Sequence, residues 1–246
     1  MTKFFRKIRQ ELAAQNNMAK YLRYAIGEIL LVVIGILIAL QVNNWNQQRK
    51  DRITEIQLLS DIRKSLELDI ENQINPNLTQ AIKDSSNVAE IIQAIQNKVP
   101  FNDSLAGKFR SLMFSKNFSW EVSAYKELEA EGIKLIENQK LKTSVLKIYN
   151  MDYPEIKNTI GNFNNNLHEF YRPQMRNNFI FHYSDPENTL FIPVDYKKLL
   201  KNYVFMNTLL TAKINFQSLL NSLRKLKVQV NNLIVSLDDE PKIKRR

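Results

Sequence analysis

From Tyr24 to Val42 the chain reads YAIGEILLVVIGILIALQV, an apolar run with a single charge in it. At about 1.5 Å per residue the run reaches roughly 28 Å, close to the hydrocarbon thickness of a bilayer. A transmembrane helix is predicted over 24–44. Tyr21 and Tyr24 on one side and Trp45 on the other are placed as interfacial anchors, where an aromatic ring meets both lipid and water. Before the span, Phe4, Ile8 and Leu12 recur at helical spacing among basic residues, the pattern of an amphipathic segment over 1–23. After Trp45 a helical stripe continues through Ile53, Ile56, Leu59, Ile62, Leu66, Ile70 and Ile74. Pro76 interrupts it as a kink or a break, and Leu78, Ile82, Ala89, Ile92 and Ile95 carry it on to about Lys98.

Residues 101–180 read as shorter helices, 103–114, 122–131, 139–151 and a longer one from Pro154 towards Asn178, with Gly132 a stop signal. One β pattern stands out. Residues 179–183 and 189–194 flank a five-residue turn, which predicts a small hairpin with Pro193 at an edge or a strand end. The last helix is the clearest element. Leu209, Ala212, Phe216, Leu219, Leu223, Leu226, Val230, Leu233 and Leu237 alternate by three and four, a coiled-coil-type seam. The fold class expected is therefore mostly all-α: a span, then an extended bundle or antiparallel coiled-coil stalk (45–98 with 202–237), with residues 99–200 as a distal head. The seam is satisfied equally by a partner in the same chain or in another.

Composition sharpens the topology. Five glycines and seven prolines in 246 residues favour long helices over a turn-rich β fold. Cysteine is absent, which removes disulfides, a lipid-modified cysteine anchor and thiolate zinc sites. The net charge of +10 raises the question of nucleic acid. Its distribution answers otherwise: Lys3, Arg6, Lys7, Arg9, Lys20 and Arg23 precede the span against Glu11 alone, the bias that keeps a short flank in the cytoplasm. Anionic lipid explains that segment better than DNA does, and no recognition-helix, zinc-finger or aromatic-basic signature accompanies it. The expected location is a bacterial inner membrane, crossed once, with residues 45–246 in the periplasm. No small-x-small site follows Gln41, so the span is expected to stay attached as a signal anchor.

Candidate chemistry is sparse. Glu28 is the one acid within the span; an intramembrane carboxylate is costly and invites a functional role, although one turn from Arg23 a structural role competes with ion handling. Gly27, Leu31, Gly35 and Ala39 fall on one face, and Gly35 with Ala39 forms a small-xxx-small pair through which a second helix can approach. His168 and His182 are the only histidines and lack metalloprotease spacing. Glu127, Glu129, Glu131 and Glu137 read as a solvated face, and Trp120 as a core or interhelical anchor. No catalytic, cofactor-binding or metal-ligating set emerges, and an enzyme is not expected.

The segments Phe4–Gln10, Lys20–Ile29 and Ile34–Asn46 resemble the N-terminal span of a large family of uncharacterised bacterial envelope proteins. Ser123, Ala124, Tyr125, Leu128, Gly132, Leu135 and Ile136 are similar to a weaker pattern of the same family's exterior domain. The resemblance implies a single-span inner-membrane protein with a helical periplasmic domain; it brings no activity or cofactor. Three functions are carried forward. The first is a membrane-anchored scaffold or adaptor acting by protein contact, self-associating or bound to another envelope protein. The others are a periplasmic sensor or ligand-binding bundle relaying through the span, and an ion-pathway component using Glu28.

Overall fold

The computed structural model describes residues 18–183 and 189–240. The stripe at Phe4, Ile8 and Leu12, the turn 184–188 and the basic C-terminal tail lie outside the described residues, as do the side chains of Tyr21 and Tyr24. The chain divides into two units, Met1–Thr54 and Glu55–Arg246.

The first unit is the N-terminal part of helix α1 (Met18–Asp69). Its apolar stretch has a mean hydropathy of 2.6 over 18 residues and none of it is buried, so it is not the core helix of a globular fold. It is the one helix among the described residues long and apolar enough to cross a membrane.

The second unit is a three-helix bundle built on long helical paths. The first path continues from α1 through a π-helical turn, Ile70–Ile74, into α2 (Asn75–Gln96). A connecting segment follows, with α3 (Asp103–Lys108), a 3₁₀ turn at Phe109–Leu112, α4 (Ser123–Glu131) and a 3₁₀ turn at Ile133–Leu135. The second path is α5 (Gln139–Lys147), α6 (Tyr153–Asn166) and α7 (Arg172–Asn178), joined by π turns at Ile148–Asp152 and Leu167–Tyr171. Strands β1 (Phe179–His182) and β2 (Leu190–Pro193) form the hairpin, and α8 (Tyr196–Leu199) leads into α9 (Tyr203–Asp239).

Prolines set the style of these paths. Pro76, Pro154 and Pro173 each follow a π turn by two residues. A proline inside an α-helix lacks a donor and presses its ring on the carbonyl four residues back; a widened turn makes room without ending the helix. Pro76 is therefore neither a break nor a hairpin, and the helices expected to part at Met151 and Pro154 are one path. Gly132 does end α4: it sits at φ 107°, where a side chain is strained, and its N–H bonds the Leu128 carbonyl at 3.0 Å.

Helix α9 is the shared partner, packing on α2 and on α6. Its direction is fixed by contacts at both ends. Arg63 Nε donates to Asp238 at 2.6 Å, while the Phe216 ring meets the Phe163 ring at 4.8 Å, tilted by 57°, and Lys225 meets Glu155 at 3.1 Å. Thus α9 runs antiparallel to both other paths. Leu209, Ala212, Phe216, Leu219, Leu223, Leu226, Val230, Leu233 and Leu237 are all buried, and the seam is filled within the chain. Asn202 caps the helix, its side-chain oxygen accepting the Phe205 N–H at 3.1 Å. The hairpin forms as expected, with Phe179 opposite Pro193 and His182 opposite Leu190, leaving Pro193 at a strand end.

The expected distal head is not a separate body. Residues 99–138 run back along the first path, Ser111 and Lys116 meeting Asp84, Glu121 meeting Asp69 and Glu137 meeting Glu55. Two features hold them there: Leu105, Phe109, Leu112, Leu128 and Ile136 are buried in the core, and the helix carries polar acceptors down its buried face. A second difference concerns the stripe of α2: Ile82 is 47% exposed and Ala81, Asp84, Val88 and Ile91 are buried, while Ile92 and Ile95 are buried as the stripe expects.

Because Leu223 is fully enclosed and Ile214 lies 68% exposed on the opposite face of the same helix, their truncations should separate. Leu223→Ala is expected to cost about 2–5 kcal/mol and Ile214→Ala within about 0.5 kcal/mol, read by urea unfolding of the helical circular-dichroism signal in detergent.

Candidate functional site

Three carboxylates sit where the apolar stripe of the first path would place leucine or isoleucine. Glu55, Asp69 and Asp84 are 1%, 2% and 4% exposed, 14 and 15 residues apart. Fourteen residues make about four α-helical turns. The second interval is one residue longer because it contains the π turn at 70–74, which holds an extra residue and keeps Asp84 on the same face. Each acid receives a donor from the returning segment: Glu55 the Glu137 N–H at 3.1 Å, Asp69 the Glu121 N–H at 2.8 Å, and Asp84 the Ser111 hydroxyl at 2.8 Å.

Around Asp69 the returning segment and the second path close an aromatic cluster. Tyr153 donates its hydroxyl to Asp69 Oδ2 at 2.6 Å. Trp120 stacks on the Tyr153 ring at 5.2 Å and 15°, and the Lys157 ammonium lies 5.8 Å above the indole. Tyr125 and Tyr149 stack at 4.3 Å, with Asn150 donating to the Tyr125 hydroxyl at 2.7 Å. The Tyr149 hydroxyl is shielded and has no hydrogen-bond partner among the described residues. Burial pushes the Asp69 carboxyl up to about 6, against the two hydrogen bonds that favour its charge. Burial, then the nearby Asp69 charge, raises Tyr149 and Tyr153, so both stay protonated.

Around Asp84 the same acid-on-a-helix device opens to solvent. Asp84 accepts from Gln80 at 3.0 Å, from Ser111 and, at very short range, from Lys116 Nζ. Asn87 donates to Ser111 Oγ at 3.1 Å. Lys116 is itself held by its backbone: its N–H donates to Asn164 Oδ1 at 2.9 Å and Asn164 Nδ2 donates to its carbonyl at 2.8 Å. Arg172 pins the strand further, Nε to the Met113 carbonyl at 2.9 Å and a terminal nitrogen to Ser115 Oγ at 3.2 Å. Above this floor lies a cleft of about 580 Å³.

The residues singled out from the sequence fall elsewhere. In the first unit Trp45 is 66% exposed, and a methyl group added at Gly27 or Gly35 would meet no atom within 4 Å. Glu28 is half-buried and has a polar interaction. His168 lies one turn from Arg172, whose guanidinium approaches its Nδ1 at 3.0 Å, and His182 is exposed on β1. Trp120, expected as a core or interhelical anchor, is packed against the core from a segment outside any helix, on the Tyr153 ring. The acids at 55, 69 and 84 were not foreseen, though their signal is in the chain: each interrupts an apolar stripe at a core position.

These features define a class, a mostly helical chain whose N-terminal helix is long and apolar enough to cross a membrane and whose remaining residues form a helical bundle with a small hairpin. More specifically, the chain belongs to DUF6090, a family of unknown function whose model matches residues 28–171. That match spans Glu55, Asp69 and Asp84 together with their donors and stops before β1 and α9. No curated protein and no solved structure matches the chain.

Two outcomes follow from the buried acids. An acid raised from 3.8 to about 6 stabilises the fold fully below its unfolded value, and this contribution is lost as pH rises through about 4 to 6. In Asp69→Asn the Tyr153 hydroxyl can turn to accept, so the variant should gain on the native chain by up to about 3 kcal/mol across that window and hold a constant margin above it, measured by urea unfolding at each pH. Lys116→Met leaves Asp84 buried without its cation and should cost about 3–5 kcal/mol, most of it recovered in the double variant with Asp84→Asn.

Proposed function

We propose that the chain is a membrane-anchored helical scaffold or adaptor that acts by protein contact and self-associates through its span. It crosses a bacterial inner membrane once, its N-terminal segment in the cytoplasm and residues 45–246 in the periplasm, the orientation favoured by Lys3, Arg6, Lys7, Arg9, Lys20 and Arg23. The observation that carries this reading is the unshielded apolar face of α1. The large apolar residues from Ile29 to Val42 are 44–67% exposed, which in water would cost on the order of 10 kcal/mol. Lipid relieves that cost. At Gly27, Gly35 and Ala39 the surface is also shallow enough for another helix to approach backbone to backbone. The α9 seam offers no such opening, because its own chain fills it; the assembly contact therefore belongs to the span. A second reading, a ligand-binding bundle, draws its support from the cleft at Asp84.

The test is the mass of the intact purified protein in mild detergent. An integral multiple of one chain is expected, and Gly35→Leu combined with Ala39→Leu should return it to a single chain, whereas Glu28→Gln should leave it unchanged. A native protein already running as a single chain refutes self-association. A second protein retained at fixed stoichiometry from native membranes would identify the partner of the adaptor.

A further inference from the structure

We propose that the cleft above Asp84 binds a small hydroxyl-bearing anion, a sugar acid or sugar phosphate. One wall is the face of α2 that presents Asn77, Gln80 and Lys83, and the other is the segment Arg110 to Asn117. Its volume, about 580 Å³, is that of a small-molecule site rather than a groove for a helix.

The floor is built and electrically closed. Asp84 and Lys116 have side chains only 5% and 10% exposed and are paired with each other, and the Gln80 and Ser111 donors complete the carboxylate. The Asn164 and Arg172 hydrogen bonds fix the backbone of the second wall, so the site is preorganised. What remains are two cations without an anion. Arg110 makes no hydrogen bond or ion pair among the described residues; its Nε is shielded from water and unpartnered, and its guanidinium rests 4.8 Å from the Phe114 ring centre. Lys83 is exposed, with no acid at ion-pair distance among the described residues. With Lys116 cancelled by Asp84, the lining carries an excess of two positive charges.

Those groups select the ligand. A guanidinium held on an aromatic face offers its remaining nitrogens as a planar fork, which fits a carboxylate or phosphate. The Asn77, Asn117 and Ser115 side chains supply neutral donors and acceptors for hydroxyls, and Phe114 and Pro76 give an apolar edge for a sugar ring face. A cation would meet the same excess positive charge and be repelled. The inference does not depend on how the chain assembles.

The experiment is isothermal titration of the full chain in neutral detergent at low salt with glucuronate, glucose 6-phosphate, inorganic phosphate and glucose. Saturable binding of glucuronate or glucose 6-phosphate, with glucose inert, is expected; which of the two is tighter separates a carboxylate from a phosphate ligand. Arg110→Gln should weaken it by about tenfold or more and Lys83→Gln by less, both with unchanged helical spectra, while Lys157→Gln outside the cleft leaves it intact. The proposal is overturned if neither charged sugar saturates below about 10 mM, if Arg110→Gln leaves the affinity unchanged, or if phosphate alone binds as tightly as the sugar phosphate.

Discussion

A buried carboxylate must find donors, and on the first helical path this requirement fixes the segment that returns along it. Glu55, Asp69 and Asp84 lie on one face of one long helix, and each is satisfied by the segment that returns along it. Leaving any of them unmet would cost several kcal/mol, because an ionised group taken out of water keeps little of its solvation. Leu105, Phe109 and Leu112 at one end of this segment and Leu128 and Ile136 at the other are buried in the core, but its middle has little of that kind. Between Met113 and Glu121 it has no regular secondary structure, and its apolar side chains, Phe118 and Trp120, pack against the aromatic cluster without setting a register. The three acids set it. They bring the chain back to the level of Glu55 so that the second path can climb beside the first.

The π turns serve the same geometry. A plain α-helix drifts relative to a fixed stripe, and a proline would normally end it. At Ile70–Ile74 one extra residue both makes room for Pro76 and brings Asp84 onto the face shared by Asp69. The turns before Pro154 and Pro173 do likewise on the second path, whose buried positions move from Tyr149 and Tyr153 through Ile160 and Phe163 to Tyr171 and Met175 while α9 stays in contact throughout.

What the sequence makes legible follows from this. The α9 seam can be read residue by residue because every core position is apolar, and the hairpin because its turn and its alternation agree. The first path is legible from Leu59 through Ile74, loses phase at Ile82 and regains it at Ile92 and Ile95. A pattern search that counts only apolar residues skips Asp69 and Asp84 and settles on Ile82, which faces solvent. Prolines mislead in the same way, since their local penalty is visible and the compensating turn is not. The distal head is an expectation from chain order; it fails because residues 99–138 both bury Leu105, Phe109, Leu112, Leu128 and Ile136 in the bundle core and give donors to Glu55, Asp69 and Asp84, contacts that are long-range in sequence. Arg110 and Lys116 had no sequence signal at all, for a lysine or arginine in a loop reads as solvated until its partner, or the lack of one, is seen in space.

Replacing a buried ion pair by apolar residues of similar volume is often neutral or stabilising, so stability by itself is a weak reason for Asp84 and Lys116. Nor does packing require them: Ala81 and Val88 flank Asp84 on a face that a leucine would fill. Their distinctive effect is on Arg110 to Asn117, which buries Leu112 in the core and is fixed at Asp84 on one side and at Asn164 and Arg172 on the other. A bundle that needed only to be stable would close this gap with hydrophobic side chains. One that must hold a polar wall open to solvent in a fixed shape needs polar fasteners, and the Asp84–Lys116 pair is placed where that wall begins.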